Sequence, residues 1–258
     1  MIRVEKISFS YGNHEILKEV SFSINKGEIV GILGSNGAGK STLFKLLNGR
    51  LLPGSGDIFI DDKRISDYSS IELARETALV PQNPSVSFPF TVYETIAMGR
   101  RPYQGLFSGI SENDGKVIDA VMDETGLRDF SDRKITELSA GESQLVFLAR
   151  AFAQEPEILL LDEATSSLDI NHTLDILNLI KGRVRSEYLT VAAIVHDINL
   201  AALFCDKILF INNNSVIGPG TPEEMITTEY LSDVYGIGSE SAVIENKPLG
   251  VRYCLKQS

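Results

Sequence analysis

The sequence predicts an α/β fold, and three stretches of different texture predict it. Residues 3–60 alternate short β-type runs with turn residues. From about residue 91 to residue 153, apolar positions recur at helical spacing. Beyond residue 156, largely apolar short runs alternate with helical segments, the pattern of parallel strands joined by crossover helices.

Taken in order, strands are expected at residues 3–9, 20–24, 28–33 and 57–60. The clusters Tyr11-Gly12-Asn13, Asn25-Lys26-Gly27 and Pro53-Gly54-Ser55-Gly56 supply the turns between them. One helix interrupts this series, beginning in the glycine-rich stretch and running through Ser41-Thr42-Leu43-Phe44-Lys45-Leu46-Leu47. Residues 110–125 and 142–153 are the clearest amphipathic segments of what reads as an inserted helical lobe. Strands at 158–161, 190–195 and 207–211 then alternate with helices at 170–185 and 198–204. No internal repeat, low-complexity run or flexible linker breaks the chain.

The 258 residues carry 24 Lys and Arg against 35 Asp and Glu, a net charge of −11. A chain of this length buries roughly three-quarters of its unfolded surface, so neither disulfides nor a structural metal is needed for stability. Cys205 and Cys254 are too few for a disulfide framework and no Cys/His cluster has zinc spacing, which points to a reducing compartment. The start, Met1-Ile2-Arg3-Val4-Glu5-Lys6, does not read as a signal peptide. The longest apolar runs, such as Val191-Ala192-Ala193-Ile194-Val195, are strand-sized, whereas a membrane span needs about 18 apolar residues. An acidic excess without a Lys/Arg-rich tract argues against nucleic acid as partner.

The strongest local signal is Gly34-Ser35-Asn36-Gly37-Ala38-Gly39-Lys40-Ser41, which fits GxxxxGK[ST] between an apolar strand and a helix. Its glycines permit a tight wrap in which backbone N–H groups face a phosphate chain, Lys40 reaches the β/γ-phosphates, and the Ser41 hydroxyl is able to ligate Mg²⁺. The alternative is a glycine-rich turn. Ile158-Leu159-Leu160-Leu161-Asp162-Glu163 supplies two carboxylates at the C-terminal end of a buried strand, where open α/β sheets bind ligands. Asp162 suits the Mg²⁺ shell and Glu163 is placed to polarise an attacking water, although adjacent carboxylates also share metals.

His196 ends the next buried strand and is either a γ-phosphate contact or a capping neighbour, since Asp197 is itself a plausible helix N-cap. Leu138-Ser139-Ala140-Gly141-Glu142-Ser143-Gln144 opens a helix able to present N–H groups to an anion, while Ser139 to Glu142 is also a capping-box pattern. Two anion-binding helix starts beside a single P-loop lysine suggest that the second serves a nucleotide held by another copy.

The ordered set of Tyr11, the P-loop from Gly34 to Thr42, Gln82 after Ala78-Leu79-Val80, Leu138 to Gln144, Ile158 to Glu163, Ser166-Ser167-Leu168-Asp169 and His196 resembles the nucleotide-binding subunit of an ATP-binding cassette (ABC) transporter. The stretch from Thr91 to Tyr103 and the tail Tyr230-Leu231-Ser232-Asp233-Val234-Tyr235-Gly236-Ile237 are similar to importer subunits for ferric siderophores, haem and cobalamin. The resemblance implies a P-loop NTPase (RecA-like) core with an N-terminal antiparallel β-subdomain at 1–87 and 156–240, an inserted α-helical subdomain at 88–155, and a C-terminal extension at 241–258.

It also implies roles. Tyr11 would stack on adenine; Gly34, Ser35, Asn36, Gly37, Ala38, Gly39, Lys40, Ser41 and Thr42 would wrap the triphosphate. Gln82 would touch Mg²⁺ or the water, and Mg²⁺ would rest on Ser41, Gln82 and Asp162. Ser139, Gly141 and Glu142 would close over ATP bound to a second subunit, with Asp169 reaching across that interface, and His196 becomes a γ-phosphate contact. The implied assembly is a homodimer hydrolysing ATP at the cytoplasmic face of the membrane, attached to permease subunits and served indirectly by an extracytoplasmic substrate-binding protein. Residues 83–103, with Phe88-Pro89-Phe90 and the basic pair Arg100-Arg101, are expected to meet the permease. One departure stands out: Ala140 occupies the first of two positions that are glycine in the family. Its methyl is expected to be nearly silent unless residue 140 requires positive φ. The rivals are a soluble ABC-type ATPase acting as a mechanical module in translation or DNA repair, and a small-molecule phosphotransferase.

Overall fold

The computed structural model describes residues 1–82, 88–105, 109–164, 168–187, 189–236, 238–244 and 247–254. In chain order the strands are β1 (Ile2–Tyr11), β2 (His14–Ile24), β3 (Ile29–Gly34), β4 (Ser55–Ile60), β5 (Lys63–Arg64), β6 (Thr77–Val80), β7 (Ile158–Asp162), β8 (Thr190–Ile194), β9 (Lys207–Asn212), β10 (Ser215–Gly220), β11 (Gly238–Ile244) and β12 (Lys247–Cys254). The helices are α1 (Lys40–Leu47), α2 (Ser70–Glu76), α3 (Val92–Ala97), α4 (Glu112–Glu124), α5 (Ala140–Ala153), α6 (Ile170–Glu187), α7 (Ile198–Phe204), α8 (Pro222–Met225) and α9 (Thr228–Tyr235). They form two compact units, residues 1–68 with 190–258, and residues 69–189.

In the first unit β2, β1, β4 and β5 make an antiparallel sheet. Tyr11 pairs with His14 across Gly12-Asn13, and Gly12 takes φ 58, the left-handed conformation that a two-residue hairpin turn needs. Beside this sheet β3 runs parallel to both β8 and β9, with β10 antiparallel on β9. Ile29, Val30, Ile32 and Leu33 of β3 are buried throughout, because a strand flanked by parallel neighbours is covered on both faces. Each such side chain contributes about 1.5–3 kcal/mol by leaving water.

In the second unit β6 runs parallel to β7, and α2 to α6 belong with them. The helical segment expected at 88–155 lies wholly inside this unit. Capping boxes open α2, α3, α4 and α5, from Ser69, Thr91, Ser111 and Ser139 respectively, each satisfying donors that a helix start leaves without intrahelical partners. The α/β class and the antiparallel β-subdomain are those anticipated. Among the described residues no helix is long and apolar enough to cross a membrane.

Candidate functional site

The first unit holds the glycine-rich loop between β3 and α1. Gly34, Gly37 and Gly39 take φ values of 155, 79 and 105, and the Ala38 N–H closes a turn on the Ser35 carbonyl at 3.2 Å. Gly39 is the N-cap of α1 in the left-handed region, and a Cβ there would lie 2.9 Å from Ile16 Cγ2, so both conformation and space demand glycine. The Lys40 side chain is only 6% exposed. Its ammonium donates to the Gly34 carbonyl at 2.8 Å and the Ser35 carbonyl at 2.9 Å, holding the cation at the centre of the loop. Unlike the capping-box helices, α1 has no acidic residue in its first turn. A buried cation, a helix start without a carboxylate and a glycine-built wrap together favour an anion. Ser41 is exposed on that first turn, Thr42 is buried, and Ser35, Asn36 and Gly37 are exposed along the loop rim, with Ala38 half-buried.

Tyr11 lies at the tip of the β1–β2 hairpin, 47% exposed, its ring edge-on to Phe9 at 5.0 Å. His196 is exposed just beyond β8. Asp197 is the N-cap of α7, accepting from the Asn199 N–H at 2.8 Å and the Leu200 N–H at 3.2 Å. The capping alternative therefore belongs to Asp197, which leaves the imidazole outside the helix start.

In the second unit, Asp162 ends β7 and is half-buried, and Glu163 follows at φ 51. Glutamate in the left-handed region is strained by about 1 kcal/mol or more, and such strain gathers at functional sites. The Glu163 carboxylate accepts a short hydrogen bond from the Gln82 side-chain amide, so two residues 81 positions apart meet directly. Gln82 follows β6, and the Pro81 carbonyl beside it accepts from Gln144 Nε2 of α5 at 3.2 Å.

At the start of α5 the capping box is complete. The Ser139 hydroxyl donates to Glu142 Oε2 at 2.7 Å and accepts from the Glu142 N–H at 3.3 Å, while the Ser139 N–H reaches the same carboxylate at 2.8 Å. These contacts, the hydroxyl's first, hold the Glu142 carboxyl below the usual carboxylate range. Ala140 is the first residue of α5 and is not among the residues at positive φ, which removes the condition under which its methyl would matter. Gly141 is buried against the His172 ring of α6: a Cβ at 141 would lie 2.7 Å from His172 Cδ2. His172 in turn faces Asp169, Nδ1 to Oδ2 at 2.7 Å, and its backbone N–H donates to Asp169 Oδ1 at 3.0 Å.

Gln82 and Glu163 are thus brought together, as are Lys40 with Gly34 and Ser35, and Ser139 with Glu142. Asp169 joins Gly141 through His172, a residue the motifs did not single out. Its only signal in the sequence is an imidazole three residues after Asp169, a helical spacing. Ser166 and Ser167 lie outside the described residues.

The basic pair expected on a permease surface divides. Arg100 is 2% exposed, donating to Asp114 Oδ1 at 2.8 Å, the Ala153 carbonyl at 2.8 Å and Glu155 Oε2 at 2.5 Å. It is an internal tie: a charge taken out of water has to be partnered, and this guanidinium is satisfied on three sides. Arg101 instead lines an apolar groove of about 360 Å³ with Tyr93, Ala97, Met98 and Ile110. Phe88 and Phe90 are exposed with rings 6.0 Å apart; residues 83–87 lie outside the described residues.

Residues 17–166 match the family described as ABC transporter. The chain belongs to the ABC transporter family. One ABC transporter relative is the uncharacterized ATP-binding protein YvrA of Bacillus subtilis (strain 168), 40% identical over 96% of this chain and 56% of its own length. Another is the iron(3+)-hydroxamate import ATP-binding protein FhuC of the same organism, 34% identical over 98% of this chain and 95% of FhuC. Among solved structures, an inward-facing conformation of a putative metal-chelate type ABC transporter superposes with a TM-score of 0.86 at 29% identity, covering 99% of this chain and 98% of that one. The chain thus spans about half the length of YvrA and nearly all of FhuC.

Proposed function

We propose that this chain is the ATP-binding and ATP-hydrolysing subunit of an importer for a metal chelate of the iron-siderophore, haem or cobalamin type. The observation that carries the ATPase reading is the loop wrapped around the buried Lys40 ammonium. The cargo class is supported by the likeness to FhuC and to the metal-chelate type transporter.

Lys40 and the α1 N–H groups bind the phosphates, and Tyr11 packs against the base. With a net charge of −11, the global field opposes ATP, so these local cations and dipoles must do the binding. Ser41, Gln82 and Asp162 are assigned to Mg²⁺. They offer hydroxyl, amide and carboxylate oxygens, and among the described residues no cluster of three His, Cys, Asp or Glu forms a cage. That donor set fits Mg²⁺, which takes one or two carboxylates alongside substrate phosphates. When bound, the ion neutralises charge on the phosphate oxygens. Glu163 accepts a proton from the attacking water, Gln82 orients that carboxylate, and His196 donates to the γ-phosphate.

Ser139, Gly141 and Glu142, with Asp169, are assigned to ATP on a second copy of the chain. Closure of the homodimer is then favoured by nucleotide, because only the closed state engages both segments. The groove lined by Met98, Arg101 and Ile110 is assigned to the permease, which carries the transport pathway and receives cargo from an extracytoplasmic binding protein. The subunit itself sits at the cytoplasmic face of the membrane.

Isolation of the chain from membranes tests this reading. Recovery in a stable complex with a polytopic permease is expected; association with ribosomes or DNA would favour the mechanical-module alternative, which the comparisons do not support.

A further inference from the structure

We propose that His172 is a positioning residue that holds the Asp169 carboxylate at a set distance from the first turn of α5, so that the two segments assigned to the second copy's nucleotide move as one. The inference rests on the ATPase reading above. Asp169 and Gly141 come from separate stretches of the chain, and the His172 ring touches both. On one side Asp169 grips the residue twice, through the ring nitrogen at 2.7 Å and the backbone N–H at 3.0 Å. On the other, the ring fills the space where a side chain at 141 would begin, 2.7 Å from Cδ2 and 2.8 Å from Cγ. Gly141, the one glycine in the segment from Leu138 to Gln144, is therefore required by this ring as well as by any phosphate.

A spacer of any chemistry would fill that space; the charge distinguishes histidine. The ionisable groups that act most strongly on the ring are Asp169 ahead of α6, Asp175 on α6 and Glu142 on α5, all acidic. The Asp169 hydrogen bond, then its charge, raise the His172 pKa above the ordinary value. Because the folded value is raised, the imidazolium–carboxylate pair is fully present below the unfolded value, about 6.5, and is lost as pH rises through the raised folded value. The tie is tight below the unfolded value and slackens as pH rises through the raised folded one.

The test uses the full chain and two variants, His172→Gln and Asp169→Asn. The first readout needs no nucleotide: ring proton signals of the three histidines are followed by NMR against pH. The signal missing from His172→Gln is expected to titrate above the ordinary histidine range and to fall when Asp169 becomes Asn. Titration at or below that range, or no response to Asp169→Asn, overturns the proposal. The second readout is Mg-ATP turnover against pH. Wild type is expected to lose turnover along an alkaline limb. His172→Gln should abolish the limb and lower kcat about tenfold on its acidic side, with KM for ATP unchanged because the P-loop is untouched. If His172→Gln is unstable, Asp169→Asn carries the same readout and should move the limb to lower pH. An unchanged kcat and limb in the variants overturns the positioning role while leaving the ATPase reading intact. No turnover by wild type at any pH overturns the ATPase reading and this role together, whatever the ring titration gives.

Discussion

The Gln82 amide donates to the Glu163 carboxylate, and Glu163 is held at φ 51, directly after a strand buried as far as Leu161. A strained acidic residue fixed by an amide from a distant loop is what a positioned base requires: one geometry, set before the substrate arrives. Relieving the strain should stabilise the fold and cost activity. Glu163→Gly is expected to raise unfolding free energy by about 1 kcal/mol while turnover disappears. Urea denaturation and phosphate release on the same variant check both halves.

Lys40 has a second structural duty, since its ammonium satisfies two loop carbonyls. Lys40→Ala should therefore weaken ATP binding by about one to two factors of ten, the worth of a charge-assisted hydrogen bond, and also lower the melting temperature of the nucleotide-free chain. Titration with a fluorescent ATP analogue and a thermal melt separate the effects.

Arg100 is expected to matter for stability rather than for surface recognition. Removing one partner of a buried pair leaves the other uncompensated, so Arg100→Met should cost about 3 kcal/mol. Asp114, 4% exposed, has its carboxyl held below the usual range, first by the Arg100 hydrogen bond and next by Ser111. A depressed folded pKa means that this stabilisation is present above the unfolded value, about 3.9, and is lost as pH falls through the folded value. Denaturation midpoints followed into acid should fall in wild type and fall less in Arg100→Met.

Ala140→Gly is expected to change turnover by less than about tenfold, a barrier change of 1.4 kcal/mol. Residue 140 opens α5 without positive φ, so the methyl meets no backbone penalty. Gly141→Ala should be severe by contrast, because the added methyl meets the His172 ring. Parallel steady-state assays of the two variants compare them directly.

What was legible in the sequence was local. The P-loop helix, α5 and α7 follow from caps, glycines and apolar spacing within a few residues. The sequence pattern marks β2 only from residue 20, whereas the strand begins at His14, because register shifts in the β1–β2 pair, with Lys6 and Glu19 at positive φ, break the alternation that marks a strand. The partners of Arg100 are 14 and 55 residues away, and the ring under Gly141 comes from a different helix. Neither leaves a periodic trace, so the sequence presents the adjacent arginines as one surface and does not mark His172 at all.

The central claim, that ATP is hydrolysed by a closed pair of these chains with Glu163 as base, is tested most directly by the solution mass of Glu163→Gln with Mg-ATP, measured by light scattering. The variant is expected to bind ATP, turn over negligibly and double in mass, returning to the single-chain mass once nucleotide is removed. A variant that hydrolyses ATP at the wild-type rate, or that stays at single-chain mass with ATP bound, would contradict it.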